Sequence, residues 1–286
     1  MDIDLSIMRD EHPYILEWVA YHRVVGVTNL TIYDNNSKDG STELLARLHE
    51  LNVVNHVPWP ASGQDSPQTS AYRHYRDSRA SAGSNDWALY IDADEFAVPV
   101  EHDTLVEALD DIVTLAPDAK AIAINWKTFG TSGLQKANPG LVVERFQRCA
   151  EGGRAPNNCV KSAVCLQALS DPHIHVHQIA DGRYVNDLGE DVEIYGNGMS
   201  KRVSHERVQI NHYMTKSVEE WQDKKARGNA NLSDGHQQKY ARLNDELFQR
   251  ADRNESVCER ILRFLPAVKT EIECLEQRLE ALPSTS

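Results

Sequence analysis

The sequence predicts an α/β fold, a mostly parallel sheet covered by helices on both faces and closed by a helical C-terminal extension. Three observations carry this. The first half alternates strand and helix at the lengths of βαβ units; the strands end in polar or acidic loops; and an apolar stripe at helical spacing runs along the last 26 residues. In order, residues 3–8 alternate apolar and polar as a short strand. Pro13 sits where a first helical turn tolerates proline, and Ile15, Trp18, Val19, His22 and Val25 recur at helical spacing up to Gly26. A β-type run over 30–33 leads into the polar loop 34–40, then a helix over 42–49 and a strand over 53–57. A proline-rich loop over 58–70 precedes a helix over 68–82 and a buried strand over 87–91, which runs into Asp92-Ala93-Asp94-Glu95-Phe96. Thr104 and Glu107 form a capping box that opens a helix to about residue 116, and 121–125 is another strand. Residues 126–200 read as loops and short strands, and 218–254 as polar helix.

The chain has 286 residues and a formal charge of −13, with 41% hydrophobic and 26% charged residues. That suffices for a packed core and excludes global disorder. So acidic a chain repels a phosphate backbone, so no nucleic-acid partner is expected. No apolar run approaches the ~18 residues that span a bilayer, and the N-terminus lacks a basic segment followed by an apolar one, so neither a transmembrane segment nor a signal peptide is expected. The five cysteines include no CxxC pair and read as reduced thiols. The expected location is cytoplasmic, with peripheral membrane association as the variant of that reading.

In parallel α/β sheets ligands sit at the carboxyl ends of the strands, where the loops after Tyr33 and Ile91 both lie. Asp92 and Asp94, two apart on extended chain, point to the same side. Two converging carboxylates repel unless a cation joins them, and Mn²⁺ or Mg²⁺ shared with diphosphate oxygens suits the pair. A solvated acidic turn is the bland alternative. An aspartyl-phosphate phosphatase is another, disfavoured because Phe96 stands where that chemistry wants Thr or Val.

Five strings in order, DEHPYILEWVAYHRVVGVTNLTIYDNNSKDGS, WALYIDADEF, NWKTFGTSG, LVVERF and INHYMTKSVEEWQDKKARGNA, resemble glycosyltransferases of the family 2 and family 92 type over about residues 3–230. The departure is Asp10, where those proteins usually carry Asn before the glutamate. The resemblance implies a GT-A-like, Rossmann-like domain over 1–230, with 231–286 as the helical extension. It implies transfer of a sugar from a nucleotide-sugar donor, a UDP-hexose, to a carbohydrate or other hydroxyl acceptor. By it, Glu11, Asp34 and Asn35 touch the base and ribose, Asp92 and Asp94 hold the metal with His212 as third ligand, and Lys216 and Ser217 hold the diphosphate. Turn chemistry is the competing reading of 34–39, with Asp39 or Ser41 as helix cap. A catalytically inactive nucleotide-sugar or glycan-binding module is the alternative from another functional class.

Inverting transfer needs a carboxylate to deprotonate the acceptor. Glu144 and Asp191 (or Glu190) are the candidates. Glu144 follows Phe129-Gly-Thr-Ser-Gly133, whose Gly130 and Ser132, with Trp126, are expected to line the acceptor pocket. His173, His175 and His177 at period two share a strand face; His175 is a second choice for a sugar contact or metal ligand. Ile261, Leu265, Val268, Ile272, Leu275, Leu279 and Leu282 form a heptad-like stripe. It packs on the catalytic domain or joins two copies of the chain as a homo-oligomer.

Overall fold

The computed structural model describes residues 5–60, 66–79, 81, 83, 86–153, 155–227 and 243–283. The boundary expected at 230/231, part of the 58–70 loop and much of 218–254 lie outside them. The first half follows the expected alternation: β1 (Leu5–Met8), α1 (His12–Val24), β2 (Thr31–Asp34), α2 (Ser41–Glu50), β3 (Asn55–Pro58), α3 (Pro67–Ser78), β4 (Trp87–Leu89), β5 (Glu95–Pro99), α4 (Leu105–Leu115) and β6 (Ala119–Thr128). The Thr104 hydroxyl accepts from the Glu107 amide and the Glu107 carboxylate from the Thr104 amide, so the capping box forms as read. The second half holds α5 (Val142–Arg145), β7 (Arg148–Cys149), β8 (Val160–Cys165), β9 (Leu169–Asp171), β10 (Gln178–Ile179), β11 (Arg183–Val185), β12 (Ile194–Tyr195), β13 (Met199–Ser200), β14 (Val208–His212), α6 (Val218–Arg227), α7 (Asp245–Ala251), β15 (Ser256–Val257) and α8 (Leu265–Glu280).

β1, β2 and β3 form a parallel sheet in that order. The second sheet is mixed, in the order β4-β8-β6-β14-β5, with β11 also on β6. β14 and β11 run parallel to β6, while β8 runs antiparallel to β4 and β6, and β5 antiparallel to β14. The parallel arrangement expected of the βαβ half holds in β1–β3 and in the pairs that β14 and β11 make with β6, and it is interrupted by the antiparallel strands β8 and β5. The sharp turn after Ile91 accounts for β5, reversing the chain relative to β4 with no crossover helix between them.

α1 is the keystone. Its Ile15, Trp18 and Val19 are buried, the Trp18 indole donates to the Glu95 carbonyl at 2.8 Å, and the Tyr21 hydroxyl to the Ala97 carbonyl at 3.0 Å, tying the helix to β5. α8 packs along α1: Val268, Leu275 and Leu279 are buried, Arg23 pairs with Glu271 at 2.7 Å, and Arg278 donates to the Leu51 carbonyl at 2.8 Å. Ile261, Val268, Leu275 and Leu279 of the apolar stripe are thus packed within the chain, the first of the two expected arrangements, while Leu265, Ile272 and Leu282 stay partly exposed. No helix among the described residues is long and apolar enough to cross a membrane.

Candidate active site

β1, β2, β5, β6 and β14 converge on one edge, and the acidic loop sits there. Residues 92–95 are a turn in place of extended chain, closed by the Glu95 amide donating to the Asp92 carbonyl at 3.0 Å. The two aspartates therefore do not point the same way, which corrects the period-two expectation. Asp92 turns toward α3 and β8: its Oδ1 accepts from Gln68 Nε2 at 2.6 Å and its Oδ2 from Lys161 Nζ at 2.9 Å. Asp94 turns toward β14 and α6: its Oδ1 lies 3.6 Å from His212 Nε2, and its Oδ2 accepts from Lys224. Burial favours protonation of Asp94, but Lys224, His212 and Lys216 outweigh it and hold the carboxyl well below the usual range.

β14 and β6 lie in parallel register, with Ile210 opposite Trp126 and His212 opposite Thr128, which puts Trp126 and His212 on one sheet face. Their rings touch with centroids 4.1 Å apart and planes tilted by 51°, and His175 meets the Trp126 ring edge-on at 5.6 Å. His212 is thus held by contact with the Trp126 ring; its Nδ1 is buried without a hydrogen-bond partner, as is Trp126 Nε1. His175 Nδ1 lies 3.0 Å from the Val160 carbonyl, which requires the proton on Nδ1 and leaves Nε2 as a lone-pair acceptor. Burial, then Lys161, pushes the His175 imidazole down to about 4.

Beside the acidic turn lies a cavity of about 400 Å³ lined by residues of the β1–α1 and β2–α2 loops and of the β14–α6 segment, with Tyr14, Lys38, Lys216 and Lys224 among them. The Lys216 ammonium sits 4.0 Å above the Tyr14 ring, on a backbone with φ of +48° that few non-glycine residues adopt. The lining carries three lysines, Lys38, Lys216 and Lys224, together with four carboxylates, Asp10, Asp39, Glu220 and Asp223, so the cleft offers both cationic and anionic contacts to a ligand.

The remaining expected site residues divide sharply. Glu11 and Asn35 lie at the carboxyl ends of β1 and β2 next to this cavity, both buried. Asp34 is there too, but it accepts from the Ser37 amide at 3.1 Å and the Thr42 hydroxyl at 2.5 Å, so it builds its own loop. Burial opposes its ionisation, yet bonds from His56, Ser37 and Thr42 hold it down to about 2. Asp39 accepts from the Ser41 hydroxyl and amide and from the His12 amide, bracing the two loops together. Ser217 caps α6: its hydroxyl donates to Glu220 Oε2 at 2.6 Å and accepts from the Glu220 amide at 3.2 Å.

Gly130 and Ser132 do not line an acceptor pocket. A Cβ at Gly130 would stand 2.5 Å from the Arg253 carbonyl oxygen, and Ser132 Oγ accepts from the Gln147 and Arg148 amides at 3.1 Å. The segment after α7 fills that space, with Asp252 and Asn254 accepting from the Thr131 and Ser132 amides. Glu144 pairs with Lys269 at 2.7 Å and accepts from the Leu141 amide at 3.3 Å; it faces α8 and does not join the acidic turn. Asp191 pairs with Arg183 at 2.7 Å and bridges Val185, whose partner is Ile122. That is six residues back from Thr128 along β6, or ~20 Å of strand from the site. Glu190, paired with Arg202 and Asn186, lies in the same remote loop. Of the other histidines, His173 is half-exposed beside Asp171, and His177 is buried against Tyr90.

Three side chains had gone unread: Lys161, Gln68 and Lys224. Only Lys161 carried a signal, a lysine inside the apolar run Val160–Cys165, where a strand buried on both faces has no ordinary place for a charge.

The profile of glycosyltransferase family 92 matches residues 6–263. The chain belongs to glycosyltransferase family 92. A rice (Oryza sativa subsp. japonica) family 92 protein is 27% identical over 223 residues, covering 77% of this chain and 34% of that protein. One from Arabidopsis thaliana is 23% identical, covering 89% of this chain and 43% of that protein. The chain thus spans about a third to under a half of these relatives' length. Among solved structures, S. aureus TarS 1-349 aligns over 99% of this chain and 83% of its own at 12% identity and a TM-score of 0.40. A Pyrobaculum calidifontis mannosyltransferase in complex with GDP-Man and Mn²⁺ aligns over 44% of this chain and 35% of its own, at 16% identity and a TM-score of 0.32.

Proposed function

We propose that this family 92 chain is an inverting, metal-assisted glycosyltransferase that takes a hexose from a UDP-hexose donor to a carbohydrate or other hydroxyl acceptor. The observation that supports it is the adjacency of a cleft of about 400 Å³, with Lys216 and Lys224 in its mixed-charge lining, to a buried carboxylate–imidazole pair, Asp94 and His212. Among the described residues no group of three His, Cys, Asp or Glu side chains stands ready to hold a metal unaided. The donor chemistry nevertheless fits Mn²⁺ or Mg²⁺. Mg²⁺ commonly binds through one or two protein groups plus substrate phosphates, and Mn²⁺ accepts imidazole beside carboxylate. Asp94 and His212 would supply those two groups, while Asp92 stays engaged with Lys161 and Gln68. Bound there, the metal would neutralise charge on the diphosphate leaving group.

The chain's own residues do the rest. Lys216 and Lys224, at the cleft, meet the diphosphate as point charges and stabilise it further as the glycosidic bond breaks, since negative charge grows on the leaving oxygen. Tyr14 supports Lys216 from below. Trp126 and His175 form the acceptor side. With Nδ1–H committed to Val160, His175 Nε2 accepts the proton of the attacking hydroxyl, the role that neither Glu144 nor Asp191 is placed to fill. Calorimetry and thermal shift with UDP, GDP and UDP-hexoses, with and without Mn²⁺, test this reading. Binding at a hundredfold excess over Kd stabilises by about 2.7 kcal/mol. UDP binding that requires Mn²⁺ is the expected result; no shift with any nucleotide overturns it.

A further inference from the structure

A fully buried lysine under the acidic turn is the feature that the proposed reaction leaves unused. Lys161 lies in β8, opposite Ile124 of β6, and none of its surface reaches solvent. Its ammonium lies 2.9 Å from Asp92 Oδ2 and 3.3 Å from Glu95 Oε2. Glu95, itself fully buried, uses the same Oε2 to accept from the Asp92 amide at 2.8 Å. On the other side Gln68 Nε2 holds Asp92 Oδ1 at 2.6 Å and reaches the Tyr72 hydroxyl at 2.8 Å.

Asp92 is therefore gripped at its amide and at both carboxylate oxygens, while about 30% of its side chain still faces solvent at the site edge. Such a grip is not needed to hold the fold. Replacing a buried ionic cluster with apolar groups of similar volume often leaves a protein equally or more stable. Glu95 Oε1 is buried with no hydrogen-bond partner, a cost that an apolar core residue would not carry. What the cluster does supply is direction: two carboxylates in one turn would repel and splay, and an internal cation between them fixes where each points.

We propose that Lys161 is a positioning residue, an internal cation that orients Asp92 and, through Glu95, the whole 92–95 turn toward the bound donor. This rests on the reading of the site as a nucleotide-sugar site.

The test uses the full chain with Lys161→Met and Lys161→Met/Glu95→Gln. The single variant strands Glu95 and Asp92 together, and a drop in Tm of about 10 °C is expected from the size of such losses. The double variant removes both buried charges, so it recovers most of that drop. Two readouts then separate positioning from mere structure. Amides of residues 92–95 should exchange hydrogen roughly tenfold faster than in the parent, and affinity for UDP with Mn²⁺ should fall roughly tenfold, as small misplacements of binding groups typically cost that or more. A double variant with parental exchange at 92–95 and parental UDP affinity overturns the proposal. If the parent itself binds no nucleotide, the functional reading fails, and the exchange rates still decide whether Lys161 orders the turn.

Discussion

Lys224 occupies the place of a counter-ion on Asp94, so Lys224→Gln separates the charge it supplies from the charge a metal would bring. The ammonium touches Asp94 Oδ2, with side chains 19% and 9% exposed, so the pair is screened less than a surface ion pair. Exposed pairs contribute about 0.2–1 kcal/mol, and breaking buried ones costs about 3–5 kcal/mol. With one partner still reaching water, about 1–2 kcal/mol is the appropriate scale for what a divalent cation must displace. Removing the lysine should then tighten Mn²⁺ binding to the nucleotide-free protein by about 5- to 30-fold. UDP affinity should move the other way, because the cleft loses a diphosphate contact. Isothermal titration of the parent and the variant with Mn²⁺ alone, then with UDP at saturating Mn²⁺, reads both. Mn²⁺ affinity that is unchanged or weaker in the variant would refute the argument that Lys224 and the metal share Asp94.

His175→Gln should leave UDP affinity within about twofold and lower turnover by roughly 10²-fold or more, the range of general-base catalysis, in a transfer assay with product detection by mass. Glu144→Gln should leave transfer unchanged and cost less than about 1 kcal/mol in urea unfolding, because the carboxylate serves an exposed ion pair with Lys269 and a helix start. Gly130→Ala should destabilise by about 1–3 kcal/mol, read from the same urea curves, since its Cβ meets the Arg253 backbone at 2.5 Å. His22 is buried in α1 and held neutral, its imidazole pushed down to about 3 by burial. Its folded value lies below the unfolded 6.5, so it supports the fold fully above pH 6.5 and loses that support as pH falls toward 3. Between pH 7.5 and 4.5 the parent should lose about 3 kcal/mol more than His22→Asn, and equal losses would show that His22 titrates freely.

What was legible in the sequence was local. The helical spacing around Trp18 and the Thr104–Glu107 capping box need only a few neighbouring residues, and both formed where read. Lys161 and Gln68 could be connected to Asp92 only across 69 and 24 residues, through a sheet order that no local pattern encodes. The loop from Phe129 to Gly133 failed for the same reason in reverse. Its glycines suggested room for a ligand, but Asp252 and Asn254, some 120 residues on, fill it. Ser217 was a different case, because Ser217-Val-Glu-Glu220 spells a capping box as plainly as Thr104 does. The pull of the neighbouring lysine hid it.

The two aspartates of the acidic turn end in opposite electrostatic settings, and the turn itself is the cause. Had residues 92–94 stayed extended, both carboxylates would have shared one face and one counter-charge. The bond from the Glu95 amide to the Asp92 carbonyl folds the chain between them, so Asp92 is neutralised from within the sheet by Lys161 and Asp94 from the cleft by Lys224. An internal lysine cannot leave, since it is walled into β8; a lysine on α6 with about a fifth of its side chain exposed can swing away. It follows that only Asp94 can exchange its counter-ion for an incoming cation without moving the core. Asp94→Asn should therefore remove Mn²⁺ dependence from nucleotide binding, while Asp92→Asn should weaken nucleotide binding with Mn²⁺ dependence intact. Calorimetric titrations of both variants with UDP, each at zero and saturating Mn²⁺, would show the split. Loss of Mn²⁺ dependence in Asp92→Asn alone would place the metal on the other aspartate and undo this assignment.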